Sequence, residues 1–240
     1  VTQSGVHALR LDVNRPEDVV AAAALASDVK LIINNAGIAQ PGGFLAADSE
    51  EVARRIFETN FFAMLRVSKA FAPILKANGG GALLNVLSIA SWVNGGQLAA
   101  YSASKSAAWS LTNALRSELA AQKTQVLALH MAYVDTDLTR GLDVPKSSPE
   151  EIVRRALDGL ESGADEVLAD EPEARQRIRA GRSAELLTAP RASRYPRRCS
   201  GRGWAGDARG DQAGGCGCSR PCSRRASSRY CSRWWSAPSI

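Results

Sequence analysis

VKLIIN, residues 29–34, is an apolar run that does not alternate, followed at once by Asn35, Ala36 and Gly37. A strand with one wet face alternates apolar and polar residues, whereas an unbroken run fits a strand buried on both faces of a parallel sheet. Such a strand needs helices on either side, and the flanking sequence supplies them. Upstream, VHALRLDV (6–13) alternates like a strand, and Asn14, Pro16 and Glu17 offer a cap, a first-turn proline and a capping-box carboxylate for a helix through Ser27. Downstream, Pro41, Gly42 and Gly43 form a loop, and Asp48 or Ser49 caps a long helix through Lys76. Its Val52, Ile56, Phe57, Phe61, Met64 and Leu65 recur at helical spacing; Pro73 is expected to kink the last turn and Gly79 to Gly81 to stop it.

The alternation continues. ALLNVL (82–87) reads as a strand, 101–121 as a helix and QVLALHM (125–131) as a strand. Ser148, Pro149 and Glu151 form a capping box before a helix through Gly159, and EVLA (166–169) is a short last strand. Five strands separated by helices predict an α/β chain with a parallel sheet. A length of 240 residues, 45% hydrophobic and 22% charged, suits one domain with a real core and excludes a collagenous or wholly disordered chain. The longest apolar run, 19–26, is too short to span a bilayer, so no membrane association is expected.

The formal charge of +6 conceals a break at about residue 170. Residues 1–170 carry 15 Lys and Arg against 19 acids, whereas 171–240 carry 15 Arg, no Lys and 5 acids. All five cysteines, from Cys199 to Cys231, fall in the second part, and the cysteine-free body suits the cytoplasm. Residues 191–240 contain a single Leu, Ile, Val or Met, Ile240, and are expected to be disordered, with 171–190 as a helical or linker segment. Two readings of this tail are open. It could be a basic arm for nucleic acid or an acidic partner, making the chain a non-catalytic binding protein. Out-of-frame translation of a GC-rich gene accounts better for the loss of Lys and aliphatics, so nucleic-acid binding is not expected. The cysteines lack paired C-x2-C spacing and both histidines, His7 and His130, lie elsewhere, so no metal site is expected.

The chemistry centres on YSASK, in which Tyr101 and Lys105 stand four residues apart on one helical face. Ser88 follows the strand 82–87, at the sheet edge where parallel α/β folds bind ligands. A neighbouring ammonium favours the phenolate, so Lys105 is expected to lower the Tyr101 pKa towards working pH, as proton exchange with an alcohol or carbonyl oxygen requires. His130 reads as a satisfied core imidazole; Trp92 and Tyr133 flank the expected pocket.

Residues 1–170 resemble the short-chain dehydrogenase/reductase family. Ser88 precedes Tyr101 by 13 residues, the family's usual spacing; Asn34-Asn35-Ala36-Gly37 is similar to its NNAG motif, and Asn60 to its helix asparagine. Asp12-Val13 is similar to its adenine-contacting pair, and Val134-Asp135-Thr136-Asp137 to the segment after its sixth strand. The resemblance implies a Rossmann-like doubly wound sheet and hydride transfer between NAD or NADP and a small carbonyl or secondary alcohol. It makes Tyr101 the general acid/base, Lys105 the holder of the nicotinamide ribose, Ser88 the orienter of substrate oxygen and Asn60 the anchor of a proton-relaying water. It places Asp12 and Val13 by adenine, Asn34, Ala36 and Gly37 by the adenosine ribose, and Val134 and Thr136 by the carboxamide. Pairing through the helices at 49–77 and 101–121 implies a homodimer or homotetramer.

The family's first two strands and its TGxxxGxG turn have no counterpart in residues 1–170, and the chain opens at Val1, so an incomplete sheet from a truncated sequence is expected. The turn supplies about two to four contacts of roughly 1.5 to 3 kcal/mol each, and without them cofactor affinity and turnover are expected to be low. Tyr133 and its neighbours replace the family's usual Pro-Gly pair, which leaves the direction of the loop to Thr136 open.

Overall fold

The computed structural model describes residues 5–94 and 96–169. The segments 171–190 and 191–240, expected as linker and disordered tail, lie outside the described residues. Four strands form a parallel sheet in chain order: β1 (Leu31–Asn34), β2 (Gly81–Val86), β3 (Thr124–His130) and β4 (Glu166–Leu168). Helices connect them: α1 (Pro16–Leu25) leads in, α2 (Ser49–Phe57) and α3 (Ala63–Ala77) join β1 to β2, α4 (Ala99–Leu119) joins β2 to β3, and α5 (Pro149–Glu161) joins β3 to β4. None of the described helices is long and apolar enough to cross a membrane.

The period-two geometry of the strands sorts their side chains onto two layers. Leu83 and Val126 pack with Leu75, Leu115 and Leu119 beneath α3 and α4, whereas Leu84, Leu127 and Leu129 pack with Ile152 and Ala156 of α5. The unbroken apolar runs in β2 and β3 are thus buried from both sides. Fully burying a Leu in such a layer contributes about 1.5–3 kcal/mol. Gly79 and Gly80, at φ +82° and +105°, turn the chain out of α3, and a Cβ on Gly80 would lie 2.3 Å from Lys123 O.

The segment 6–13 does not form the expected fifth strand. Alternation makes a strand only where a neighbour offers a ladder, and among the described residues no strand pairs with this segment. β1 therefore sits at the edge of the described sheet, with Ile33 53% exposed. The cap of α1 also differs: Arg15 occupies the position, without a side-chain cap bond, and Glu17 pairs with the Arg15 guanidinium instead of closing a box. At α5, Ser148 accepts from Glu151 N as expected, while the Glu151 carboxylate turns to Arg154 and Arg155.

The long helix runs from Ser49 to Ala77 and continues through Pro73. Its departure from α geometry lies earlier, at Glu58–Phe62, which is one π-helical stretch around Asn60. Such insertions often mark functional positions, and this one rotates Asn60 into the interior.

Candidate active site

Ser88 lies two residues past the end of β2, and its φ/ψ of −159°/157° keeps the backbone extended as the chain enters the turn Ile89–Ser91. Its Oγ accepts from Ala90 N at 3.1 Å, which leaves the hydroxyl hydrogen free to donate. Tyr101 stands in the first turn of α4, and the neighbouring Ser88 side chain favours its phenolate. One turn on, Lys105 is 4% exposed, donates from Nζ to Val86 O at 2.8 Å, and stands 5.8 Å from the centre of the Tyr101 ring. The helical spacing thus brings phenol and ammonium together beside Ser88.

The electrostatics differ from the expectation. Burial pushes the Tyr101 pKa above its ordinary value of about 10, against the opposing pull of Ser88 and with a further push from Tyr133. Burial also brings the Lys105 pKa down to about 8. Desolvation is the largest influence on both groups, because each charged form must give up water for a low-dielectric surrounding.

Asn60 is fully buried and clamps the loop after β1. Its Oδ1 accepts from Ile38 N at 2.8 Å, and its Nδ2 donates to Ile38 O at 3.0 Å and to Ser104 Oγ at 2.9 Å. Ser104 donates in turn to Tyr101 O at 2.7 Å. The Asn60 amide therefore braces the loop after β1, its own helix and α4. Ser104, the fourth residue of YSASK, is a site residue that the Tyr–Lys spacing alone did not single out.

The Asn34 side chain faces inward from the end of β1. Its side chain is buried, donating to Asn85 Oδ1 at 2.8 Å and lying 3.3 Å from Ser68 Oγ, while Asn85 donates to Thr112 Oγ1 at 3.0 Å. Asn34 and Asn85 are register partners on β1 and β2, so this network ties α3, two strands and α4 together. The polar residue in the middle of ALLNVL was the sequence signal for it.

The other expected contacts divide. Asn35, Ala36 and Gly37 are exposed at the end of β1. Val13, Asn34 and Ala36 line one cleft of about 210 Å3 between β1 and α3. None of Ser88, Tyr101 and Lys105 lines that cleft, and Asp12 does not line it either. Asp12 is exposed and accepts from Asn14 N at 2.9 Å. Val134 is buried, whereas Thr136 is exposed and forms a capping box with Thr139.

Gly37 connects the cleft to the catalytic group. A Cβ on it would lie 3.4 Å from Asn60 Oδ1 and 3.6 Å from Lys105 Nζ, so the bare backbone leaves a cradle that a side chain would fill. A buried ammonium beside such a cradle suits a ribose diol, and these residues fit the nicotinamide half of a dinucleotide. For the pyrophosphate half, the pattern TGxxxGxG does not occur in residues 1–170.

Comparison with known proteins agrees with this geometry. Residues 2–146 match the short chain dehydrogenase family. A short chain dehydrogenase from Burkholderia cenocepacia, solved in complex with NADP, superposes with a TM-score of 0.70 at 38% identity, covering 79% of this chain and 82% of that one. The 1-deoxy-11-beta-hydroxypentalenate dehydrogenase of Streptomyces exfoliatus is 34% identical over 60% of this chain and 54% of its own length. The galactitol 2-dehydrogenase of Cereibacter sphaeroides is 38% identical over 53% of this chain and 52% of its own. The chain thus spans about half the length of the curated relatives it matches.

Proposed function

The chain belongs to the short-chain dehydrogenase/reductase family, and from that premise we propose that it is an oxidoreductase interconverting a carbonyl and a secondary alcohol with NAD or NADP. The observation that carries this reading is the meeting of Tyr101, Ser88 and Lys105 at the end of β2. The relatives named as dehydrogenases of a hydroxypentalenate and of galactitol, and the NADP complex of the Burkholderia protein, support it.

In this mechanism the nicotinamide supplies or takes the hydride. Ser88 donates its free hydroxyl hydrogen to the substrate oxygen and fixes that oxygen against the phenol. Tyr101 gives its proton to the oxygen as the carbonyl is reduced and takes it back when the alcohol is oxidised. Lys105 holds the ribose by hydrogen bonds at the Gly37 cradle. Asn60 and Ser104 keep α4 and the Gly37 loop in register, and the backbone of the Asn34–Gly37 segment, with Val13 and Asp12, meets the adenosine end. Val134 and Thr136 face the carboxamide. Self-association through α2, α3 and α4 gives a homodimer or homotetramer, which sedimentation equilibrium tests directly; a monomer mass excludes it.

The decisive experiment follows loss of reduced-nicotinamide absorbance with a panel of ketones. Tyr101→Phe is expected to lower kcat by about 100-fold or more, because it removes the hydroxyl that exchanges the proton and leaves the ring in place. Equal turnover by the Phe variant overturns the reading.

A further inference from the structure

His130, the last residue of β3, is fully buried, yet the mechanism does not use it. Its Nδ1 lies 3.3 Å from the Ser88 carbonyl oxygen. A carbonyl can only accept, so Nδ1 must carry the hydrogen, and Nε2 is then a bare acceptor with no hydrogen-bond partner among the described residues. Trp92 stacks on the imidazole at 4.0 Å between ring centres and an interplanar angle of 28°, and Trp109 meets it edge-on at 6.3 Å. Both the turn that begins at Ser88 and the indole that follows it therefore rest on one ring.

The backbone around Ser88 shows why this contact matters. Leu87 N donates to Leu129 O and Ile89 N to Met131 O, which continues the β2–β3 ladder past the strand ends. Ser88 O points away from those two bonds and accepts from Ser91 N at 2.9 Å and from His130. The two bonds fix the peptide plane of the residue whose Oγ faces Tyr101. We propose that His130 is a positioning residue: as a neutral Nδ1–H imidazole it clamps the Ser88 carbonyl and so aims the Ser88 hydroxyl at the Tyr101 phenol. This rests on the reading of Ser88 as the substrate-orienting hydroxyl, but the clamp itself is measurable without turnover.

The charged groups that act on His130 are Glu166, Arg116 and Lys105. Glu166 favours the imidazolium, but its carboxylate accepts from Trp109 Nε1 at 2.8 Å; Arg116 and Lys105 oppose it. Burial is the largest influence and holds the pKa below the usual histidine value, in keeping with an Nε2 that has nothing to donate to.

The test uses the full chain, which has only two histidines, the other being the exposed His7. Nitrogen-15 NMR of the imidazoles at neutral pH is expected to show His130 with its hydrogen on Nδ1 and Nε2 bare. His130→Leu keeps the volume and removes the donor, whereas His130→Asn places an amide N–H close to where Nδ1 stood. Hydrogen exchange then reads the clamp at Ala90 N, which donates to Ser88 Oγ, and at Ser91 N. Protection at both is expected to fall at least tenfold in the Leu variant and to return to within threefold of the parent in the Asn variant, with β1 amides unchanged in each. A hydrogen on Nε2 in the parent chain, or full protection of both amides in the Leu variant, overturns the proposal. If Tyr101→Phe instead leaves turnover intact while the clamp behaves as stated, the catalytic reading fails and the clamp stands.

Discussion

At the scale of single residues, burial acts on Tyr101 and Lys105 in opposite senses, and each has a consequence in pH. Tyr101 is held in its neutral form well past pH 7. Carbonyl reduction, which needs the phenol as acid, should persist through neutral pH, whereas alcohol oxidation, which needs the phenolate, should increase from pH 7 to 10; initial rates in both directions check this. Lys105, at about 8, lies below the ordinary lysine value of about 10.4. The unfolded chain therefore binds more protons than the folded one between those values, and stability rises with pH through that window. The gain from Lys105 between pH 7 and 9.5 is about 2 kcal/mol, below the range where the raised phenol pKa works the other way. Urea midpoints should move accordingly in the parent chain, and the movement should shrink in Lys105→Met. The pairing of these two side chains was legible in the sequence because helical spacing dictates it. The direction of the Tyr101 shift was not, because desolvation depends on what packs around the ring.

At the scale of elements, β1 and β2 are joined by the Asn34–Asn85 bond as well as by their ladder. Asn85→Ala should cost about 1–3 kcal/mol by taking one buried partner each from Asn34 and Thr112, and the double change of Asn34 and Asn85 to Leu should recover much of it; denaturant titrations of the three variants decide. α5 crosses the sheet at Gly159, where a Cβ would meet Val167 Cγ2 at 2.3 Å. Gly159→Ala should therefore destabilise by about 1–3 kcal/mol despite its better helix propensity, and a lowered Tm checks it. Most elements were readable from period and punctuation: the unbroken runs in β2 and β3, and the Ser148 cap of α5. Residues 6–13 misled because alternation states which face a strand would bury but not whether a neighbour is there to pair with it. The π-helical stretch at Asn60 escaped notice because the side-chain period of Val52, Ile56 and Met64 carries no mark of one added residue.

At the scale of the molecule, the described sheet runs in one direction from β1 to β4, and the short β4, three residues long, closes one side. The other side ends at β1, where Ile33 is 53% exposed and Leu31 and Ile32 are half-buried. An unpaired strand of this composition is a template for further chains, since its free N–H and C=O groups can recruit any extended apolar segment. Concentrated solutions of this polypeptide should accordingly scatter light increasingly with time, and Ile33→Lys should delay that onset without altering the β2–β3 core. Among the described residues, the same strand that leads into the Asn34–Gly37 segment is thus an edge from which aggregation and fibre growth can start.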